Sequence, residues 1–303
     1  MNVLVTGATG FIGINLIVKL LSDKDNHIVA VIRPDSSKRS LLPSNERLSV
    51  VECSLDNIDE LPNMLNRHID VFYHLAWDGI RNTERENKQL QQSDYRNSIN
   101  AIHIAKVLGA NVFIGTGSQA EYGICKGKIS EAYSAHPISE YGKAKLKVCE
   151  EGQTIAAGYG MRFVWTRIFS IYGTGDDERT LISTVLSKMI KNEPIPLTEC
   201  IQKWDFTHIS DVVKALILLQ NAPTGVYNIA SGETRDLREF IYEMIDITHS
   251  KSELQFGAIS YGSDGIGGFE PISLKLQITV GWHPDISFTK GIQKLVSEVI
   301  KIM

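Results

Sequence analysis

The first 170 residues alternate short apolar runs with longer stretches in which apolar residues recur at a helical period. The apolar runs are NVLVT, HIVAVI, LSVVE, DVFYHLA, NVFIGT and MRFVWTRI. Each is nearly continuous, which is typical of parallel strands that are buried on both faces. The helical stretches between them include FIGINLIVKLLS and SINAIHIAKVLG. This alternation predicts an α/β fold built on a doubly wound parallel sheet with right-handed crossovers.

The pattern becomes less regular after about Ile171. Helices are predicted at RTLISTVLSKMIKN, SDVVKALILLQN, LREFIYEMIDI and near the C-terminus, separated by loops rich in Pro and Gly such as SYGSDGIGGFEP. We therefore predict a first domain over residues 1–170, to which a segment near 204–230 returns, and a smaller C-terminal lobe over 171–303. The lobe is expected to close over the carboxyl edge of the sheet, where ligands of open α/β sheets bind.

Composition and charge narrow the class of protein. A net charge of −4 argues against a general affinity for nucleic acid or for an anionic membrane. The 4 cysteines lie far apart without a Cys-x-x-Cys pair, which predicts reduced thiols and no metal site. The N-terminus lacks the pattern of a signal peptide, and the longest apolar run is too short to span a bilayer. These features predict a cytoplasmic protein.

A glycine-rich turn opens the chain at MNVLVTGATGFIG. Gly7, Gly10 and Gly13 lie between the first predicted strand and the first predicted helix, where missing side chains let the backbone approach a pyrophosphate. The positive end of the following helix points at the same place. The spacing is one residue longer than the common dinucleotide fingerprint, and the alternative is a tight turn that binds nothing. We predict a dinucleotide site.

The end of the second strand bears on which dinucleotide is bound. An NAD site would need an acidic residue there to accept from the ribose 2′-OH, but the sequence reads VIRPDSSKR. Arg33 stands at that point, with Lys38 and Arg39 following, and a guanidinium can grip a 2′-phosphate in forked geometry. Asp35 could instead be the ribose acceptor. NADP(H) is therefore the predicted cofactor, with NAD as the alternative.

The stretch SEYGKAKLK places Tyr141 four residues before Lys145, on one face of a helix. A phenol has an ordinary pKa of about 10, and both a nearby ammonium and an oxidised nicotinamide would lower it towards neutrality. Ser118, in FIGTGSQAEYG after the fifth strand, could hydrogen-bond the substrate oxygen. We predict Ser118, Tyr141 and Lys145 as catalytic residues; the alternative is that Ser118 caps a helix and Tyr141 only packs.

This motif set resembles that of the extended short-chain dehydrogenase/reductases. More narrowly, the chain is similar to the nucleotide-sugar epimerase/dehydratase/reductase branch, through HLA, RIFSIYG, WDFTHISDVVKAL, GVYNIASGE and GWHPDISF. The resemblance implies a Rossmann-type core, a C-terminal lobe for a nucleotide sugar, and a homodimer that pairs through two long helices, about Glu84–Leu108 and the Tyr141 helix. The cofactor-binding residues expected in all are Gly7, Thr9, Gly10, Phe11, Ile12, Gly13, Arg33, Lys38, Leu55, Leu75, Ala76, Tyr141 and Lys145.

Departures from the family pattern concern the substrate. Gln119 and Ala120 stand where the 4,6-dehydratases carry an Asp-Glu pair, so dehydration is not expected. Ser170 and Trp204 replace an asparagine near the sugar diphosphate and an arginine that clamps it, and Lys203 or Arg179 could substitute. Trp77 could wall off the sugar ring or simply pack, and Gln119 and Glu121 could read sugar hydroxyls or cap the loop. The expected substrate-binding residues are Trp77, Gln119, Glu121, Ser170, Arg179 and Trp204.

Three functions follow from these residues and from the resemblance. The first is NADPH-dependent reduction of the 4-keto group of a nucleotide-linked 6-deoxyhexose. The second is a nucleotide-sugar 4-epimerase, which would keep NAD tightly bound because it regenerates that cofactor in every cycle. The third is a non-catalytic NADP-binding sensor or scaffold, which would need neither the hydroxyl nor the Tyr–Lys pair. Arg33 favours the reductase.

Overall fold

The structure of the protein is a computed structural model, and it describes residues 1–81, 83–261 and 268–302. The strands are β1 Asn2–Thr6, β2 His27–Ile32, β3 Leu48–Glu52, β4 Val71–His74, β5 Val112–Ser118, β6 Lys128–Ile129, β7 Arg162–Ile168, β8 Ile171–Tyr172, β9 Ile195–Pro196, β10 Lys203–Trp204, β11 Thr207–His208, β12 Gly225–Ile229, β13 Arg235–Asp236, β14 Leu254–Gln255 and β15 Glu270–Pro271. The helices are α1 Phe11–Leu20, α2 Leu61–Met64, α3 Lys88–Val107, α4 Glu140–Gly158, α5 Leu181–Lys191, α6 Ile209–Leu218, α7 Leu237–Thr248, α8 Leu274–Val280 and α9 Phe288–Ile302.

The main sheet has 7 strands in the order β12-β7-β5-β4-β1-β2-β3. The pairs β1–β2, β2–β3, β1–β4, β4–β5 and β5–β7 are all parallel. The strand order reverses between β1 and β4, and such a reversal is where an open α/β sheet forms its ligand crevice. The predicted doubly wound, Rossmann-type sheet is confirmed, and β1, β2 and β3 have the predicted bounds.

Two elements differ from their predicted lengths for physical reasons. β5 continues to Ser118 because it pairs with β7 as far as Ser118 and Ile168, although this end of the strand contains two glycines. α3 begins at Lys88, well before the apolar stretch and close to the bounds Glu84–Leu108 that the resemblance implied, because the side chain of Asn87 caps it by accepting from the Leu90 N–H at 3.2 Å. The first half of α3 is polar, so periodicity could not reveal it.

The chain divides into two compact units. The first comprises Met1–Gly123, Ser134–Ile168 and Val213–Tyr227. Its core includes a stack of near-parallel rings in which Phe163 lies 5.8 Å from Phe113 and 5.9 Å from Trp165, centroid to centroid. The segment that returns to the first unit is thus 213–227 rather than 204–230. Near the predicted boundary at residue 170, the chain passes from the first unit to the second after Ile168.

The second unit comprises Ile124–Tyr133, Phe169–Val212 and Asn228–Met303. Residues 124–133, which the sequence analysis assigned to the first domain, belong here because β6 pairs with β15. Its core is aromatic, with Phe240 4.7 Å from Phe288 and 5.1 Å from Phe206 between ring centroids. Of the predicted loop SYGSDGIGGFEP, residues 262–267 lie outside the described residues.

Two observations bear on the broad class of protein. Within the described residues, none of the helices combines the length and the apolar character needed to cross a membrane. All 4 cysteines, Cys53, Cys125, Cys149 and Cys200, are buried as free thiols. Burial raises the pKa of each of these thiols, which lowers their reactivity as nucleophiles.

Candidate active site

The glycine-rich turn after β1 is closed by a hydrogen bond from the Gly10 N–H to the Gly7 carbonyl at 2.9 Å. Gly7 has φ +70°, and a Cβ there would lie 2.7 Å from the backbone nitrogen of Ala76. A Cβ at Gly13 would lie 2.3 Å from the Gly7 carbonyl oxygen. Both positions therefore exclude a side chain. The turn is held directly against the backbone of Leu75 and Ala76, which follow β4.

The N-terminus of α1 fits a phosphate group. Gly10 is the N-cap, no side chain caps the helix, and the first turn holds no acidic residue. The first backbone N–H groups of α1, at Phe11 and Ile12, thus face no carboxylate from their own turn, and the helix dipole favours an anion there. With half-buried Thr9 in the turn, these residues are suited to the pyrophosphate of a dinucleotide.

The residues that follow β2 include the cations predicted to bind a 2′-phosphate. Arg33 directly follows Ile32, the last residue of β2, and its side chain is 75% exposed. Its only ion pair among the described residues joins Nη1 to Asp78 Oδ1 at 3.3 Å. Lys38 is exposed as well, and Asp35 has φ +54°. A pair this exposed contributes little to stability, so Arg33 is able to exchange Asp78 for a ligand.

Leu55, the remaining residue expected at the cofactor, is half-buried and begins a 3₁₀ helix, Leu55–Glu60. Ser54 precedes it, and its hydroxyl accepts from the Asp56 N–H at 3.2 Å. Ser54 thus serves as the N-cap of this 3₁₀ helix.

The structure brings Ser118, Tyr141 and Lys145 together. α4 starts just before Tyr141 because the Ser139 hydroxyl caps it, accepting from the Gly142 N–H at 3.1 Å. The Tyr141 side chain hydrogen-bonds with that of Ser118. Lys145, one turn further along α4, is 3% exposed and its Nζ donates to the Thr116 carbonyl at 2.7 Å. The end of β5 and the first turns of α4 therefore form one polar cluster.

The ionisation of this cluster differs from the expectation. Burial raises the pKa of Tyr141 above its ordinary value, against the lowering effects of the Ser118 hydrogen bond and of the Arg85 guanidinium. Burial also lowers the pKa of Lys145 to about 7, against the carboxylates of Glu121 and Asp94. In the protein alone the phenol is thus not acidified as expected, and the lysine is only partly charged at neutral pH.

Arg85 is the charged residue that sequence reasoning missed. It lies in a 3₁₀ helix, Glu84–Glu86, and its Cζ is 4.7 Å from the centroid of the Tyr141 ring. Its Nε is buried and has no hydrogen-bond partner among the described residues. The surrounding stretch, RNTERENK, is a mixed run of charges between β4 and α3. No spacing within that run distinguishes Arg85 from an ordinary surface residue.

Trp77 packs against the candidate catalytic pair. Its ring meets the Tyr141 ring edge to face at 5.9 Å, and Lys145 Nζ lies 3.7 Å from the centroid of the indole. Its Nε1 donates to Gln91 Oε1 at 3.0 Å, which fixes the ring. The packing interpretation of Trp77 is therefore observed, and a role in contacting the sugar stays a prediction.

Glu121 is a buried residue whose observed partners all lie within the protein. Its side chain is 0% exposed and accepts from Arg167 Nε at 2.8 Å, from Trp165 Nε1 at 3.0 Å and from the Ser118 N–H at 2.8 Å. With Ser118 it forms a capping box around the 3₁₀ helix Gln119–Glu121. The loop-capping alternative is what the structure shows, and contact of Glu121 with a substrate stays an untested prediction.

The remaining expected substrate residues are distributed over both units. Gln119, half-buried in the first unit, has an Oε1 that is buried without a hydrogen-bond partner among the described residues. Ser170, Arg179 and Trp204 belong to the second unit. Arg179 forms an exposed ion pair with Asp177, and the Trp204 ring packs 5.2 Å from that of Phe269.

Two further polar side chains, Lys203 and His74, already have partners within the protein. Lys203, the other proposed substitute for the missing clamp, pairs with Asp236 at 3.0 Å. His74 is a core histidine whose two ring nitrogens contact Thr6 Oγ1 at 2.9 Å and Ser98 Oγ at 3.0 Å. Burial lowers the pKa of His74 to about 3, so it stays neutral.

Comparison with known proteins places this geometry in a family. Residues 3–230 match the model of the NAD dependent epimerase/dehydratase family. A CDP-abequose synthase of Salmonella muenchen is 27% identical over 98% of this chain and 97% of its own. A dTDP-4-dehydro-6-deoxyglucose reductase of Escherichia coli is 26% identical over 98% of this chain and 97% of its own. An uncharacterized UDP-glucose epimerase of Bacillus subtilis is 27% identical over 88% and 87%.

Solved structures agree on the fold. The UDP-glucose 4-epimerase of Thermotoga maritima, solved with UDP-glucose, superposes with a TM-score of 0.91 at 22% identity, covering 100% of this chain and 99% of that one. The UDP-glucose 4-epimerase of Thermus thermophilus, solved with NAD, gives a TM-score of 0.88 at 19% identity and covers 100% of both chains. At these identities the likeness concerns the fold and leaves the reaction open.

Proposed function

The chain belongs to the NAD-dependent epimerase/dehydratase family, and from that premise we propose that it reduces the 4-keto group of a nucleotide-linked 6-deoxyhexose with NADPH. The observation that carries the choice of reductase is Arg33 at the end of β2, where an NAD site would hold a carboxylate. A reductase must release its oxidised cofactor and bind a reduced one in every turnover. The 2′-phosphate distinguishes NADPH from NADH. Two relatives with names from deoxysugar metabolism support the substrate class.

The chain's own residues divide the work of carbonyl reduction. Gly7, Gly10 and Gly13 would hold the pyrophosphate of NADPH, which would supply the hydride for the carbonyl carbon. Tyr141 donates its phenolic proton to the carbonyl oxygen as negative charge develops there. Ser118 donates a hydrogen bond to that oxygen and keeps it beside the phenol. Because burial raises the pKa of Tyr141, the phenol is protonated at neutral pH, as a proton donor must be.

The experiment that tests this function begins with the dinucleotide carried by the purified protein. We expect denaturation to release little NAD, and we expect CDP- or dTDP-4-keto-6-deoxyglucose to drive oxidation of added NADPH with one alcohol formed per NADPH. Stoichiometric NAD in the purified protein, with interconversion of UDP-glucose and UDP-galactose and no consumption of NADPH, would overturn the reductase. That outcome would establish the 4-epimerase, which the name of the Bacillus relative favours.

The cofactor preference is tested by Arg33→Ala. We expect this substitution to raise KM for NADPH roughly ten- to hundredfold, because a charge-assisted pair with the 2′-phosphate is worth roughly 1.5–3 kcal/mol. KM for NADH should stay nearly unchanged, since NADH has no such phosphate, and it serves as the internal control in steady-state assays. Equal changes with both cofactors would mean that Arg33 does not read the 2′ position.

We also propose a homodimer that pairs through α3 and α4. The two helices pack side by side, with His103 Nδ1 2.7 Å from the Tyr159 hydroxyl and Lys106 Nζ donating to the Tyr159 carbonyl at 3.0 Å. Val107, the last residue of α3, is 66% exposed and offers an apolar side chain to a partner helix. Light scattering after gel filtration should give twice the chain mass of 33.7 kDa. A single-chain mass at micromolar concentration would contradict the dimer.

A further inference from the structure

A guanidinium stacked on the candidate proton donor is not explained by the roles assigned so far. Arg85 Cζ lies 4.7 Å from the centroid of the Tyr141 ring, which is the distance of a cation–π contact. Among the described residues Arg85 forms no ion pair within 4.0 Å, and its buried Nε has no hydrogen-bond partner. Its guanidinium therefore contacts the aromatic ring of Tyr141 and not a carboxylate of the described residues.

Lys145 is less well placed to supply a constant positive charge. Its Nζ is 5.8 Å from the centroid of the Tyr141 ring but only 3.7 Å from that of Trp77, and it donates to the Thr116 carbonyl. Burial lowers the pKa of Lys145 to about 7, against the carboxylates of Glu121 and Asp94. A guanidinium keeps its charge at every pH at which the protein is folded.

We propose that Arg85 is a positioning residue that acts through Tyr141, holding the ring in place and stabilising the phenolate left when the proton is transferred. This inference rests on the proposed function only in taking Tyr141 as the proton donor. Arg85 acts from the 3₁₀ helix Glu84–Glu86. Four other groups face the phenol: Ser118 at the end of β5, Glu121 in the 3₁₀ helix that follows β5, Asp94 on α3 and Lys145 on α4. The carboxylates of Glu121 and Asp94 raise the pKa of the phenol, whereas Arg85 lowers it.

The first test measures the phenol directly, without cofactor or substrate. Tyrosine labelled with ¹³C at Cζ is incorporated, and Tyr141→Phe identifies the resonance of Tyr141. We expect Arg85→Gln to move the titration of that resonance to higher pH by about one unit, a tenfold weaker acid, because Arg85 lowers the pKa of Tyr141 and a nearby opposite charge is typically worth about 1–3 units. Arg85→Lys should retain part of the effect. Superimposable curves for wild type and Arg85→Gln would overturn the proposal.

The second test asks whether the same charge matters in turnover. With CDP- or dTDP-4-keto-6-deoxyglucose and NADPH, Arg85→Gln should lower kcat about tenfold near neutral pH and leave KM nearly unchanged. The alkaline limb of its kcat profile should move to higher pH. Arg96→Gln, which removes an exposed cation from α3, is the matched control and should shift neither. Arg85→Met repeats both tests if the glutamine variant does not fold.

The outcomes separate this inference from the proposed function. If Tyr141→Phe abolishes reduction but Arg85→Gln leaves both the titration and the kcat profile unmoved, only the role of Arg85 is wrong. If Tyr141→Phe retains wild-type reduction, the assignment of the proton donor is wrong, and with it the proposed mechanism. A titration shift in Arg85→Gln would then still show that the guanidinium stabilises the phenolate.

Discussion

Tyr141→Phe is expected to lower kcat for NADPH-dependent reduction about 10³-fold, the middle of the range for loss of a general acid. The substitution removes the hydroxyl that hydrogen-bonds with Ser118 and leaves the ring between Trp77 and Arg85. The packing of α4 should therefore survive. KM should change little, because the phenol acts on the oxygen mainly as charge develops on it.

Steady-state rates, together with dinucleotide binding measured by calorimetry, check this prediction. Tyr159→Phe is the matched control, because Tyr159 caps the far end of α4, where its hydroxyl contacts His103. Its kcat should stay within about twofold of wild type, as for most substitutions away from a site. Wild-type turnover in Tyr141→Phe would contradict the mechanism. If neither the wild type nor Tyr141→Phe turned over any keto sugar while both bound NADPH, the sensor or scaffold would be favoured instead.

Glu121→Gln is expected to destabilise the protein by about 3 kcal/mol, because it leaves Arg167 as a buried charge without its partner. The two side chains are 0% and 6% exposed, and their atoms meet at 2.8 Å. Arg167 also lies over the Tyr122 ring, with its Cζ 4.4 Å from the centroid, so it is enclosed on that side as well. Because both members of the pair are buried, the substitution is costly.

Urea unfolding followed by circular dichroism measures the effect, with the first transition analysed if the two units unfold separately. Glu52→Gln is the control, because the Arg39–Glu52 ion pair is exposed and such pairs contribute at most about 1 kcal/mol. Replacing both Glu121 and Arg167 with methionine should cost less than Glu121→Gln alone, since no buried charge then remains. A loss below about 1 kcal/mol for Glu121→Gln would show that Arg167 finds water or another partner.

The local parts of the fold were predictable because their causes lie within a few residues. β1, β2 and β3 are continuous apolar runs, and a strand buried on both faces requires that pattern. Tyr141 and Lys145 share a helix face because they are four residues apart. Where the cause was a polar cap, as with Asn87 at α3, the apolar pattern gave no sign of the helix start.

By itself the sequence determined the doubly wound sheet, the glycine-rich turn and the order of the candidate catalytic residues, because each depends on spacing along the chain. Only the tertiary structure decided which charged groups surround the candidate catalytic residues. Glu121 meets Arg167 because β5 and β7 are neighbours, and Arg85 meets Tyr141 because a 3₁₀ helix before α3 lies beside the start of α4. The physical reason is that burial and the partners of a charge depend on residues distant in sequence, and no local pattern records them.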